Sequence, residues 1–218
     1  MTKILFIGNS HTYYECLPWI FAAICRQSGM DVHAGMCAYP DYTWERHLTS
    51  ECTMPNLWHG HYDYVVIQQQ SHPFAGEAAL VEQGTPLINI IQKAGAVPVL
   101  FNTWSEKNNP NGQKTIDDAF DSLYRQNHGC LLARCGAAWH SLRDIVDLYA
   151  EDGGHQNPYG AYLNACVLAK TIFSVNPMGL PTEVYSLSLP EGIGAEPVRT
   201  QLSKSKVMLL QEAASRIE

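Results

Sequence analysis

The sequence predicts an α/β protein in which a parallel sheet of about five strands is covered by helices on both faces. Two observations carry that expectation. Short apolar runs alternate with longer stretches of helical periodicity from one end of the chain to the other, the pattern of strand–helix units that build a parallel sheet. No internal repeat, low-complexity tract or linker divides the 218 residues, so a single domain over 1–218 is expected, and it is long enough to hold a full core.

The first strand is Ile4–Ile7, four apolar residues in a row. Glu15–Ser28 follows as a helix, with Leu17, Ile20, Phe21, Ile24 and Cys25 at helical spacing and Gly29 as its stop. Asp31–Met36 reads as the second strand. Tyr64–Gln68, led by Tyr-Val-Val-Ile, reads as the third. Glu77–Ala94 places Leu80, Leu87, Ile88 and Ile91 along one side of a helix closed by Gly95. Val97–Phe101 is the fourth strand. Thr115–Asn127 is a helix for which Thr115 is a fitting N-cap, with Asp117 and Asp118 in the first turn, where the helix dipole favours negative charge. Gly136–Trp139 is read as a short fifth strand, and Tyr159–Phe173 and Ser203–Ile217 as helices. Residues 105–114 read as a polar surface loop, and the Pro- and Gly-rich stretch 176–200 as a surface wrap before the last helix.

Composition narrows the function. Only 16% of residues are charged and the net charge is -7, which speaks against a binder of nucleic-acid backbone. No window reaches 18 apolar residues, so no membrane span is expected. The first strand starts at about Lys3, so no signal peptide is expected in this sequence. The seven cysteines are odd in number, scattered and without a CxxC pair, as expected of reduced thiols in a cytoplasmic protein.

In open sheets of this class, ligands bind beyond the carboxyl ends of the strands. Gly8-Asn9-Ser10, Gln68 to His72, and Asn102 to Trp104 all leave strands at that end, so three polar clusters converge on one rim. Ser10 sits at a strand-to-helix turn and is a good nucleophile only if a base takes its proton. Asp152 and His155, three apart and joined by two glycines just before a helix, supply a carboxylate that can fold back onto one imidazole nitrogen and leave the other for Ser10. That is the nucleophile–base–orienter logic of a catalytic triad.

These two ends resemble the SGNH hydrolases, the superfamily of GDSL-type esterases and lipases. Ile-Leu-Phe-Ile-Gly-Asn-Ser-His-Thr, residues 4–12, is similar to the family's first block, and the stretch 152–173, which opens Asp-Gly-Gly-His, is similar to its last. The resemblance implies a flavodoxin-like three-layer α/β/α sandwich, with Ser10 as nucleophile, His155 as base and Asp152 as its partner. The middle blocks depart from the family. Its second block gives a glycine N–H to the oxyanion hole, whereas Gly35 here lies inside a strand and the loop offers Tyr39-Pro40-Asp41, in which Pro40 has no N–H. Its third block reads Gly-x-Asn-Asp, whereas this chain has Gln68-Gln69-Gln70-Ser71-His72. The oxyanion candidates are therefore the N–H of Ser10 and the groups of Gln68, Gln69, Gln70 and Ser71. Glutamine runs at this place resemble a divergent branch similar to carbohydrate O-acetyl esterases.

The substrate implied is a small-molecule acyl ester, acetyl on a carbohydrate by family analogy. Tyr13, His72, Asn102 and Trp104 are the candidates for binding it, and Tyr42, Trp44 and Phe74 flank the same rim. His11, next to the nucleophile, is assigned a structural role. His59 and His61 find no third ligand of zinc-site spacing, so no metal is expected, and the chain lacks a nucleotide-binding glycine motif, so no cofactor is expected either. A non-catalytic carbohydrate-binding module on the same scaffold remains the alternative.

Overall fold

The computed structural model describes residues 1–186 and 198–217. Five parallel strands form the central sheet: β1 (Thr2–Gly8), β2 (Val32–Ala38), β3 (Tyr64–Ile67), β4 (Val97–Phe101) and β5 (Leu131–Ala133), in the spatial order β2-β1-β3-β4-β5. The helices are α1 (Ser10–Tyr13), α2 (Leu17–Gln27), α3 (Trp44–Leu48), α4 (Thr53–His59), α5 (Glu77–Lys93), α6 (Gly112–Gln126), α7 (Cys135–Leu142), α8 (Pro158–Phe173) and α9 (Lys204–Arg216). No described helix is long and apolar enough to cross a membrane.

The run of apolar residues in β1 follows from burial on both faces. Successive side chains of a strand point to opposite sides. Ile4 and Phe6 join the core made with α2, α7, α8 and α9, while Leu5 and Ile7 join the core made with α3, α5 and α6. All four are at most 1% exposed. This is the three-layer arrangement expected, with a parallel sheet between two layers of helices.

Several boundaries differ from the sequence expectation, each for a local reason. The fifth strand is Leu131–Ala133, and residues 136–139 lie in α7. Cys135, Ala138, Trp139 and Leu142 are buried at helical spacing. Gly136 has no room for a side chain, since a Cβ there would lie 2.1 Å from the Thr103 carbonyl. The helix expected over 15–28 is broken. After α1 comes a 3-10 turn, Tyr14–Cys16, with left-handed backbone at Glu15 and Cys16, and α2 begins with Pro18 in its first turn. The helix expected from Thr115 begins at Gly112, so Thr115 does not cap it. Helices α3 and α4 were not foreseen. Part of the stretch read as a surface wrap pairs as an antiparallel two-stranded sheet, β6 (Glu183–Ser186) with β7 (Val198–Gln201), and 187–197 lies outside the described residues.

All seven cysteines are thiols; six are buried and Cys52 is exposed. Among the described residues no three His, Cys, Asp or Glu side chains gather so as to hold a metal ion.

Candidate active site

β1 ends on Gly8 because the turn that follows is packed against β3. A Cβ on Gly8 would lie 2.3 Å from Thr12 Oγ1 and 2.5 Å from Gln68 Oε1. In its absence the Gln68 amide oxygen accepts from the Asn9 N–H and the Thr12 hydroxyl, each at 2.9 Å. Asn9 then caps α1 by accepting from the His11 N–H, and its own Nδ2 donates to the Tyr42 carbonyl. The Gly-Asn-Ser sequence is thus a device that fixes Ser10 at the head of α1, on the rim of the sheet.

Ser10 meets a side chain 145 residues away. Its hydroxyl lies 2.7 Å from His155 Nε2, and His155 Nδ1 lies 2.5 Å from Asp152 Oδ2. An ionised carboxylate only accepts, so the imidazole carries its proton on Nδ1 and turns a free lone pair on Nε2 toward Ser10. The other oxygen of Asp152 accepts from the N–H groups of Gly154 and His155 at 2.9 Å, in a turn that passes through left-handed Gly153. Burial by itself would raise the Asp152 carboxyl. The hydrogen bond from the His155 ring, the two N–H groups and the His155 charge outweigh it and hold the group down at about 2.

The cavity over the Ser10 hydroxyl holds about 200 Å³ and is lined by Asn9, Ser10, His11, Asp41, Gln70, His72, Glu106, Asp152, Gly154 and His155. Of the oxyanion candidates, the structure brings Ser10 and Gln70 to it. The Gln70 Nε2 makes only a long 3.4 Å contact with the His72 carbonyl. Gln68 and Gln69 are committed elsewhere. Gln68 Nε2 donates to the Gln69 carbonyl, and Gln69 accepts from the N–H groups of Trp44 and Gln70 while donating to Gln83. Ser71 is buried and borders a neighbouring cavity with Phe74, Ser105 and Thr115, which meets the first at His72 and Glu106.

Of the four substrate-binding candidates, only His72 lines the cavity. Tyr13 faces a different, apolar groove with Trp19 and Met36, which shares no lining residue with this cavity. Asn102 is buried, and its Oδ1 accepts from the Gly136 N–H at 3.0 Å. Trp104 is fully buried, stacked on Trp139 at 3.9 Å between ring centroids, and its indole N–H donates to the Gly154 carbonyl at 2.8 Å. It therefore supports the turn that presents His155 and is not a wall of the cavity. Tyr42, Trp44 and Phe74 are likewise not among the residues that line the triad cavity.

Beside Ser10 and His155 runs a pair of linked histidines, His11 buried and His72 half-buried. The Trp104 carbonyl only accepts, so His72 carries its proton on Nε2, 3.0 Å away. His72 Nδ1 then accepts from His11 Nε2–H at 3.1 Å. Burial, then the nearness of His72 and His155, holds His11 well below the ordinary imidazole range; burial does the same to His72 more weakly. Sequence reasoning missed Asp41, Glu106 and Tyr14. Asp41 is marked only by its place after Pro40, and Glu106 by its place just beyond the fourth strand.

A serine just beyond the first strand and an Asp-x-x-His turn before a core helix, on this sheet order, are features of the SGNH/GDSL-type fold. The chain has that fold. A protein from Slackia heliotrinireducens proposed to be an SGNH hydrolase is 27% identical to it, with a TM-score of 0.68 over 78% of this chain and 98% of that one. A DUF4886 family protein from Bacteroides uniformis ATCC 8492 superposes over 98% of this chain and 93% of its own, at a TM-score of 0.74 and 19% identity. A carbohydrate esterase family 3 protein from Talaromyces cellulolyticus has a TM-score of 0.66 at 12% identity, covering 80% and 97% of the two chains. No family model and no curated protein matches the sequence.

Proposed function

We propose that the protein is a serine esterase that removes a small acyl group, acetyl foremost, from a neutral carbohydrate. The observation that carries this reading is the unbroken line Ser10 Oγ, His155, Asp152 at 2.7 and 2.5 Å. His155 Nε2 takes the Ser10 proton as Oγ bonds to the ester carbonyl carbon. The resulting oxyanion accepts from the Ser10 N–H and from the Gln70 amide, which gives up only its long contact to do so. The imidazolium, held by Asp152, returns its proton to the leaving alcohol, and the C–O bond to that alcohol breaks. Water, deprotonated by the same ring, then cleaves the acyl-enzyme to the free acid and Ser10.

The cavity argues for the substrate class. At about 200 Å³ it has room for a short acyl group rather than a long chain. Asp41 and Glu106 add two carboxylates to that of Asp152, a field that repels anionic substrates and offers acceptors to hydroxyl groups. A sugar is a neutral molecule dense in hydroxyl donors. The unlinked thiols fit a reducing compartment, and the cytoplasm is our proposal for where the protein works.

The test is hydrolysis of p-nitrophenyl acetate and a panel of acetylated sugars by wild type and Ser10→Ala, with fluorophosphonate labelling alongside. Turnover and labelling that vanish in Ser10→Ala are expected. Turnover that survives refutes the nucleophile, and sugar binding with no labelling of wild type establishes a binding module instead.

A further inference from the structure

The catalytic imidazole is the middle ring of a stack of three. Tyr14 lies on one face of His155, with ring centroids 4.1 Å apart and planes 15° apart. His11 lies on the other at 5.0 Å and 26°. The edges of the same ring are taken by Ser10 and Asp152. Both ring faces and both ring nitrogens are thus engaged, while one side of the residue stays open to the cavity.

The Tyr14 side of this stack is built at some expense of local geometry. The backbone leaves Tyr14 through two successive left-handed residues with side chains, Glu15 at φ 53° and Cys16 at φ 55°. That region is sparsely populated by any residue with a Cβ, and surrounding structure must hold it there. Here the holding group is the neighbour of the catalytic base itself. Gln156, fully buried, donates from Nε2 to the Tyr14 carbonyl at 2.6 Å. Its Oε1 accepts from Asn164 at 2.8 Å, and Asn164 Oδ1 accepts from the Trp139 indole at 2.7 Å. One turn of chain therefore presents His155 and, through the next residue, fastens the ring that covers it.

Resting on the esterase reading above, we propose that Tyr14 is a positioning residue whose ring face holds His155 in line between Ser10 and Asp152 and stabilises the imidazolium formed when Ser10 loses its proton. A cation over an aromatic face is attracted by the ring quadrupole, and the attraction grows when water is excluded. The neutral imidazole of the resting enzyme gains little from it, so the contact is stronger in the transition state than in the ground state and acts on turnover. Electron pair and proton are accounted for by the triad alone; Tyr14 exchanges neither. The other charged and titratable groups facing this imidazole are Asp152 from its own turn, His11 from α1, Asp41 from the loop after β2, His72 from the loop after β3 and Glu106 from the loop after β4.

The experiment compares Tyr14→Phe, Tyr14→Leu and phenylalanines carrying one, two and three ring fluorines at position 14, with p-nitrophenyl acetate as substrate. Tyr14→Phe keeps wild-type kcat within about threefold, because the ring face and not the hydroxyl is used. Tyr14→Leu loses roughly 3- to 30-fold in kcat with KM little changed. The fluorinated series, nearly isosteric with Phe, loses kcat stepwise as the ring face becomes less negative, and it decides the matter even where the Leu variant does not fold. A flat fluorine series, or equal losses in Phe and Leu, overturns the assignment while leaving the triad standing. A wild type with neither turnover nor fluorophosphonate labelling overturns the esterase reading and Tyr14's role with it.

Discussion

The amide oxygen of Gln68 accepts two hydrogen bonds from the turn that carries Ser10, from the Asn9 N–H and the Thr12 hydroxyl. The side chain is 1% exposed, so no water replaces it. Gln68→Leu leaves both donors unpaired, at about 1–3 kcal/mol each. Urea unfolding of the variant at neutral pH should show a loss of roughly 2–5 kcal/mol. A variant as stable as wild type would mean that the turn holds Ser10 without help from β3.

Gln70 is expected to behave differently from its two neighbours. Its amide makes one weak contact and lines the triad cavity. Gln70→Ala should lower kcat by roughly 10²- to 10³-fold, the usual consequence of removing one oxyanion donor. Its thermal midpoint should stay close to wild type. Full turnover in Gln70→Ala assigns the second donor to another group.

Asp41 and Glu106 are exposed carboxylates on the rim of the same cavity. If they accept hydrogen bonds from sugar hydroxyls, Asp41→Ala or Glu106→Ala should raise KM for an acetylated sugar roughly 3- to 30-fold. The same variants should leave p-nitrophenyl acetate nearly unaffected, since its alcohol has no such hydroxyls. Equal effects on both substrates would point to damage at the triad instead.

Stability should fall on mild acidification. Burial holds His11, His47 and His72 below the ordinary value of 6.5, so an unfolded chain binds more protons than the folded one once the pH drops past that point. Their contribution is complete above pH 6.5 and is lost as the pH falls towards their folded values. Asp152 adds a second, lower step: held at about 2 against an ordinary 3.8, it stabilises fully above 3.8 and ceases to as the pH falls to about 2. Urea unfolding between about pH 8 and 5 reads the first step. A free energy that does not change over that interval is incompatible with His11, His47 and His72 being held below their ordinary value.

The parts of this molecule legible in the sequence are those set by short-range pattern. Ile4–Ile7 shows burial on both faces because its four apolar residues follow one another without a gap, and Asp152 and His155 show their geometry because two glycines between them permit a turn tight enough to bring the carboxylate back onto the ring. The errors arose where long-range packing decides. Gly136 looks like part of a strand among Ala and Trp, yet its missing side chain serves a helix that passes within contact of Thr103. Trp104 looks like a wall of the rim, yet its indole is consumed by Trp139 and Gly154. Three consecutive glutamines are equivalent in sequence, and only their partners on α3, α5 and the Ser10 turn separate two fastenings from one weakly held amide. Tyr14 and Tyr13 are adjacent and alike; the left-handed pair at Glu15 and Cys16 is what sends the chain onward so differently after them.

One accessible thiol against six enclosed ones gives the folded chain a built-in stoichiometry. A maleimide reagent meets Cys52 alone while the core is closed. Each further equivalent consumed counts an opening event, so the pace of alkylation serves as a clock for breathing of the two helical layers, and peptide mapping of the labelled positions names the layer that opened.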